Sequence, residues 1–254
     1  AALIIAPQQK LTQALKPNNS AKYVQTLITE IPLKEDIKKT RQAAIKNQAV
    51  ITDKQTTKPI TQKITKTSPK QQAEHYFAQA QKNQSLADRQ ALLKQVLTLN
   101  PQQLNAHLLL ANTLLQQGLT EQAIDSLKHS LKVFPKNIQL TNILSQLFLQ
   151  SKQSKAALTT LLKIKTPYIQ DETFLSLLAA AYQQNNDSLN SLNSYQKLLS
   201  LNPEKAEYWL GLAITLEKQN KPQHALTAYR QALNKNPLKA VIVSYIKQRI
   251  SLLN

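Results

Sequence analysis

The 254-residue sequence contains no cysteine and no methionine, and only 2 glycines, 1 tryptophan and 4 phenylalanines. Without cysteine there is no disulfide, no thiol nucleophile and no Cys-ligated metal in any compartment. Gly118 and Gly211, the two glycines, cannot build a phosphate-cradling loop, and no P-loop, G-x-G-x-x-G or G-x-S-x-G motif occurs. His75, His107, His129 and His224 follow neither an H-x-x-x-H nor an H-E-x-x-H spacing, so metal binding is not expected. No catalytic or cofactor-binding residue is expected either. No apolar run reaches the roughly 20 residues of a membrane-spanning helix. The apolar start Ala1-Ala2-Leu3-Ile4-Ile5-Ala6 stops at Pro7, and with methionine missing throughout, the segment reads as part of a longer product. Membrane contact is accordingly expected only through a segment upstream of Ala1.

Charge of one sign is abundant: 32 basic against 14 acidic residues give a net +18. Such a balance favours anionic neighbours. The excess is nevertheless spread along the chain, with no basic stripe interleaved with aromatics, so nucleic acid is not the expected partner.

The chain then shows a ruler of prolines. Pro101 to Pro135 and Pro203 to Pro237 are equal steps of about 34 residues, and Pro135 to Pro203 is a double step. A period in this range marks stacked helix pairs, and Asn100-Pro101, Asn202-Pro203 and Asn236-Pro237 each end a helix, because proline disfavours helical geometry in its predecessor. Residues 1–69 lack this order; rich in Lys, Thr and Gln, with no sustained apolar period, they are expected to form a mostly disordered linker with short helical turns around 21–31 and 35–50.

From residue 70 onward the register is specific. Residues 206–239 carry Trp209, Leu212, Ala213 and Leu216, then Ala225, Tyr229, Ala232 and Pro237. The same places hold Leu175, Leu178, Ala179 and Tyr182 in 172–205; Leu144, Ser145 and Phe148 in 138–171; Leu110, Ala111 and Leu114 in 104–137; and Ala73, Tyr76, Phe77 and Ala80 in 70–103. This order of large, small and aromatic positions resembles the tetratricopeptide (TPR) repeat. The resemblance implies an all-α, right-handed superhelix of about five helix pairs. Residues 240–254 would cap it, with Val241, Tyr245, Ile246, Ile250 and Leu253 inward and Lys239, Lys247 and Arg249 outward. In 138–171 the proline place holds Ile169, with Pro167 two residues earlier, so an altered turn is expected there.

In such repeats the first helix of each pair lines a concave wall. The family register places Asn105, Asn112, Gln139, Asn142, Gln146, Ser176, Gln183 and Glu217 on it, a surface dominated by amides. An amide carries a donor and an acceptor and can pair with an extended backbone of any sequence; equally, amides are common throughout this chain. Trp209, Tyr182, Tyr195 and Tyr229 read as core, and Tyr245 with Arg249 as a surface pair.

The run Tyr208-Trp209-Leu210-Gly211-Leu212-Ala213, with Ala225-Leu226, Ala228-Tyr229-Arg230 and Tyr245-Ile246 after it, looks like the C-terminal part of the TPR proteins of mannose-sensitive haemagglutinin (MSHA) type IV pilus systems. That resemblance implies a membrane-tethered periplasmic adaptor whose partners are pilus or secretion assembly components. A soluble cytoplasmic TPR chaperone or regulatory scaffold, and an anionic-polymer (RNA or cell-wall) binding module, are the alternatives. The register itself makes a prediction: Ala225→Trp lowers stability by roughly 1–3 kcal/mol through overpacking, and an unchanged thermal melt would refute the helix pairing.

Overall fold

The computed structural model describes residues 68–164, 171–235 and 238–254, and all regular structure among them is α-helical. The helices are α1 (Pro69–Lys82), α2 (Leu86–Leu99), α3 (Leu104–Gln116), α4 (Thr120–Val133), α5 (Ile138–Gln150), α6 (Ser154–Leu161), α7 (Glu172–Gln184), α8 (Ser188–Leu201), α9 (Ala206–Lys218), α10 (Pro222–Asn234) and α11 (Ala240–Leu253). They fall into two compact units, one ending at Leu147 and the other running from Phe148 to Asn254. In the first unit α1 packs on α2, α2 on α3 and α3 on α4; in the second the contacts run from α6 through α7, α8, α9 and α10 to α11. Nearly all of the expected linker lies outside the described residues, as do Pro167, Ile169 and Pro237.

Local chemistry sets the helix boundaries. Ser68 opens α1 with a reciprocal capping box: its hydroxyl accepts from the Gln71 backbone N–H, and the Gln71 side chain accepts from the Ser68 N–H. Proline follows at the first helical position, where its missing N–H does no harm. The described helical segment thus starts at Pro69, one residue before the sequence register. Ser85, Asp171 and Asp187 each cap their helix, α2, α7 and α8, with a side-chain oxygen that accepts a first-turn N–H.

The turns inside the pairs share one backbone device. Gly118, Lys152, Asn186 and Asn220, each one repeat length after the last, all have φ between 56° and 76°. Just beyond each, a backbone N–H reaches five residues back, from Leu119 to Leu114, Gln153 to Phe148, Asp187 to Tyr182 and Lys221 to Leu216. This left-handed closure satisfies carbonyls that the helix end would otherwise leave bare. Glycine takes it freely and asparagine tolerates it, whereas Lys152 holds a conformation unfavourable for its side-chain type.

Small residues let the paired helices meet. Ala111 and Ala123 in the first unit, and Ala179, Ser191, Ala213 and Ala225 in the second, are buried with the large side chains around them, including Leu114, Leu127, Leu198 and Tyr229. The register positions Leu212, Ala213, Ala225, Tyr229 and Ala232 are therefore core, while Trp209 is half-buried. Gly211 is the tightest point: a Cβ there would overlap the ring of Tyr195.

The terminal helix differs from its expected orientation. Ile242, Tyr245 and Ile246 are buried, but Val241 is 50% exposed and Arg249 turns inward. Arg249 follows Ile242, Tyr245 and Ile246 at helical spacing and so lies on the face that those three side chains bury, where Glu217 on α9 offers it a carboxylate. One substitution tests the closest contact. Gly211→Ala should destabilise the second unit by about 1–3 kcal/mol, since a rigid ring and a helix backbone both resist displacement; urea unfolding with wild-type midpoint would show that α8 and α9 are farther apart than described.

Candidate partner-binding surface

The eight expected wall residues have different fates. Asn105 and Asn112 on α3 and Gln139 on α5 remain half-buried, with side chains partly open to solvent. Asn142 and Gln146, also on α5, are buried at 3% and 1% exposure, so neither presents an open amide. The open wall amides of the first unit are thus Asn105, Asn112 and Gln139.

In the second unit the wall residues are tied into the fold. The Gln183 amide nitrogen donates to the Gly211 carbonyl at 2.9 Å and to Thr215 Oγ1 at 2.8 Å, while its oxygen accepts from the Tyr195 hydroxyl at 3.3 Å. Ser191 Oγ lies 3.0 Å from Thr215 Oγ1 and donates to the Ala179 carbonyl, which completes a buried polar junction between α7, α8 and α9. One repeat later Glu217 takes the place of Gln183 and receives the Tyr229 hydroxyl at 2.8 Å. Arg249 replaces Thr215 and donates its Nε and Nη2 to the Glu217 carboxylate. Tyr245, in the place of Gly211, meets the Tyr229 ring edge-on at 6.3 Å between centroids. Gln183 and Glu217, read from sequence as partner-binding, are therefore corrected to structural junction residues, and Arg249 from outward to inward, while Tyr245 faces inward as the capping stripe placed it and does not form a surface pair. The helix α11 occupies the place of a further first helix and closes the second unit.

A second polar cluster joins α7 to α9. Glu172 Oε1 accepts from the Tyr208 hydroxyl at 2.7 Å, from Lys205 Nζ at 3.3 Å and from the Asn202 amide at 3.3 Å; Ser176 Oγ lies 3.2 Å from the Tyr208 hydroxyl. Burial works to raise the Glu172 pKa, but the Tyr208 hydrogen bond, Lys205 and Asn202 outweigh it, and the net shift is downward. Lys218 Nζ donates to the Gln183 carbonyl and to Asn186 Oδ1 at the end of α7, and its burial lowers its pKa.

His107 and Trp209, three repeats apart, make the same bond. Trp209 Nε1 donates to the Pro203 carbonyl at 2.8 Å, and His107 Nε2 lies 2.8 Å from the Pro101 carbonyl. A carbonyl can only accept, so Nε2 carries the proton and Nδ1, 2.8 Å from Ser130 Oγ, is free to accept. His107 is 2% exposed, with Phe134 edge-on to its ring. The site supports a helix-end anchor, and its buried serine is closed to substrate. Among the described residues no group of three or more His, Asp and Glu side chains is placed to hold a metal.

These features define a helix-pair repeat scaffold, joined by buried side-chain junctions. Residues 78–147 and 177–240 each match a sequence model of the tetratricopeptide repeat, together more than half of the 254 residues, and the chain belongs to that family. Solved structures agree in fold. YrrB, described as a TPR protein with an unusual peptide-binding site, is 17% identical with a TM-score of 0.61, over 69% of this chain and 92% of that one. MamA from Desulfovibrio magneticus RS-1 is 18% identical with a TM-score of 0.56, over 64% and 94%. PilF of Pseudomonas aeruginosa is 15% identical with a TM-score of 0.54, over 74% and 90%. No curated protein matches the chain in sequence.

His107 gives the first unit a pH dependence. Desolvation by burial lowers its pKa against the opposing Pro101 hydrogen bond, with His129 adding to the lowering. The folded state therefore resists a second proton that the unfolded chain accepts near pH 6.5. The corresponding stability is present above that pH and is lost as pH falls toward the folded pKa. His107→Gln, which does not titrate, should flatten the fall in melting temperature between pH 7 and pH 5; an unchanged slope would place the titrating group elsewhere.

Proposed function

We propose that this chain is a non-catalytic adaptor in type IV pilus or secretion machinery, tethered to the periplasmic face of a bacterial inner membrane and holding partner proteins through its repeats. The observation that carries the scaffold role is the set of partly open amides, Asn105, Asn112 and Gln139, on first helices whose other faces are core. Such amides pair with main-chain groups of an extended segment irrespective of its sequence. The machinery and the compartment in this reading come from the resemblance of the 208–250 region to the MSHA pilus TPR proteins, and a fold likeness to PilF at 15% identity goes with the machinery alone. Among the described residues no helix is long and apolar enough to cross a membrane, and the tether in this reading is a segment upstream of Ala1.

The test is site-specific photo-crosslinking of the full-length protein in its native host. A crosslinker at Asn112 is expected to capture a pilus or secretion assembly component, while one at buried Asn142 captures far less. Capture of many unrelated unfolded chains at Asn112 would favour a general chaperone, and absence of any protein adduct there would remove the wall as the docking surface.

A further inference from the structure

The second unit separates its charges by helix. Its described carboxylates sit on the first helices α7 and α9 or in the turns beside them, as Asp171, Glu172, Asp187, Glu204, Glu207 and Glu217. The second helices α6, α8 and α10, and the closing helix α11, contain no Asp or Glu at all. The cations on α6, α8 and α10 consequently have no carboxylate on their own helix to pair with. The described salt bridges of this unit join Lys205 to Glu172, Lys235 to Glu204 and Arg249 to Glu217, leaving Lys155, Lys163, Lys197 and Arg230 without a carboxylate partner among the described residues.

The three second helices bury equivalent positions: Ala157 and Leu161 on α6, Ser191 and Tyr195 on α8, and Ala225 and Tyr229 on α10. Each pair is one repeat length from the next, so the opposite stripe also repeats, and it is exposed on all three helices. Lys155, Leu162, Leu189 and Arg230 lie on that stripe, with Lys163 and Lys197 next to it. The two leucines are 54% and 65% exposed.

From this arrangement we propose that the outer face of α6, α8 and α10 docks onto an anionic phospholipid surface. The inference stands apart from the adaptor reading, because it uses the opposite side of the helix pairs and places a membrane contact inside the folded repeats. Lysines and arginines near an anionic bilayer each add to the attraction, and exposed leucines can enter the boundary between head groups and acyl chains. A soluble polyanion would use the cations and leave the leucines in water. Single-stranded nucleic acid would also want exposed rings to stack on, whereas Tyr195 and Tyr229 on these helices are buried at 5% and 0% exposure.

The test is co-sedimentation of the full chain with vesicles of phosphatidylcholine alone or mixed with phosphatidylglycerol, circular dichroism confirming the fold of each variant. Wild type should sediment with the anionic vesicles only. Combined Lys155→Glu, Lys163→Glu, Lys197→Glu and Arg230→Glu should weaken that binding by roughly a hundred-fold or more. Reversal of Lys38, Lys39, Lys54 and Lys58, a charge-matched control outside the described residues, should leave most of it. Leu162→Gln with Leu189→Gln should lower the binding that persists at raised salt. The proposal is overturned if wild type ignores anionic vesicles or if the control loses as much as the face variant. It is equally overturned if the leucine pair is silent while polyphosphate competes fully, an outcome that assigns the face to soluble polyanions.

Discussion

No helix pair in this chain can bury its own apolar face, and every other feature follows from that constraint. Two helices of a few turns each leave one apolar side uncovered, and such short helices are marginal in water when alone. Within each unit a pair is completed by the next. The small residues at fixed intervals set how closely the helices approach, and the left-handed turns at Gly118, Lys152, Asn186 and Asn220 set where each second helix begins. Tyr195 lies so near Gly211 that one added carbon would not fit, which shows how little slack the stacking leaves.

Close stacking places polar side chains in dry junctions, where an unpaired donor or acceptor is expensive. Gln183 meets the requirement with an amide that serves three partners in two neighbouring helices. At the end of the array, Glu217 and Arg249 make a charged version of the same junction. Exchanging a neutral junction for a buried ion pair is not a gain in stability by default, since both charges must be desolvated. The exchange can, however, select its partner: Glu217 buried without Arg249 would be costly, so α11 is accepted in one register. Tyr245, standing where the preceding repeat has Gly211, fills the space beside Tyr229 and reinforces that register.

The helix order and the core were legible in the sequence because they depend on periodic properties: prolines on a common step, alanines at the close approaches, aromatics at fixed offsets. Gly118 is marked for a left-handed turn by residue type together with its place between two paired helices. Its counterparts Lys152, Asn186 and Asn220 are not so marked, since lysine and asparagine occur in many other settings. The site was less legible for a related reason. A wall position tells where a side chain begins and leaves open what it meets, so Gln183 and Glu217 looked like free polar groups until Tyr195, Thr215, Tyr229 and Arg249 were seen to reach them. These partners all lie one or more helices away along the chain, separations at which no single-helix pattern carries information. His107 was hidden by its residue type: it fills the place Trp209 fills three repeats later and makes the same bond to a proline carbonyl.

Polar groups consumed in junctions cannot also recognise a partner, and this redistributes the functional surface. In the second unit the first helices are committed: Ser176, Gln183 and Glu217 are engaged by their own neighbours, and Leu210 and Ile214 are buried. That unit presents to solvent, among other surfaces, the outer side of its second helices, where cations lacking carboxylate partners and two leucines accompany hydroxyls and amides. In the first unit Asn105, Asn112 and Gln139 keep part of their surface open. A single repeat design therefore yields two different surfaces, amides suited to a polypeptide backbone and cations suited to an anionic one. The net +18 of the chain has a local expression in the second of these. The absence of Asp and Glu from α6, α8 and α10 leaves their lysines and arginine uncompensated, and uncompensated charge beside exposed leucine is the chemistry an anionic interface receives best.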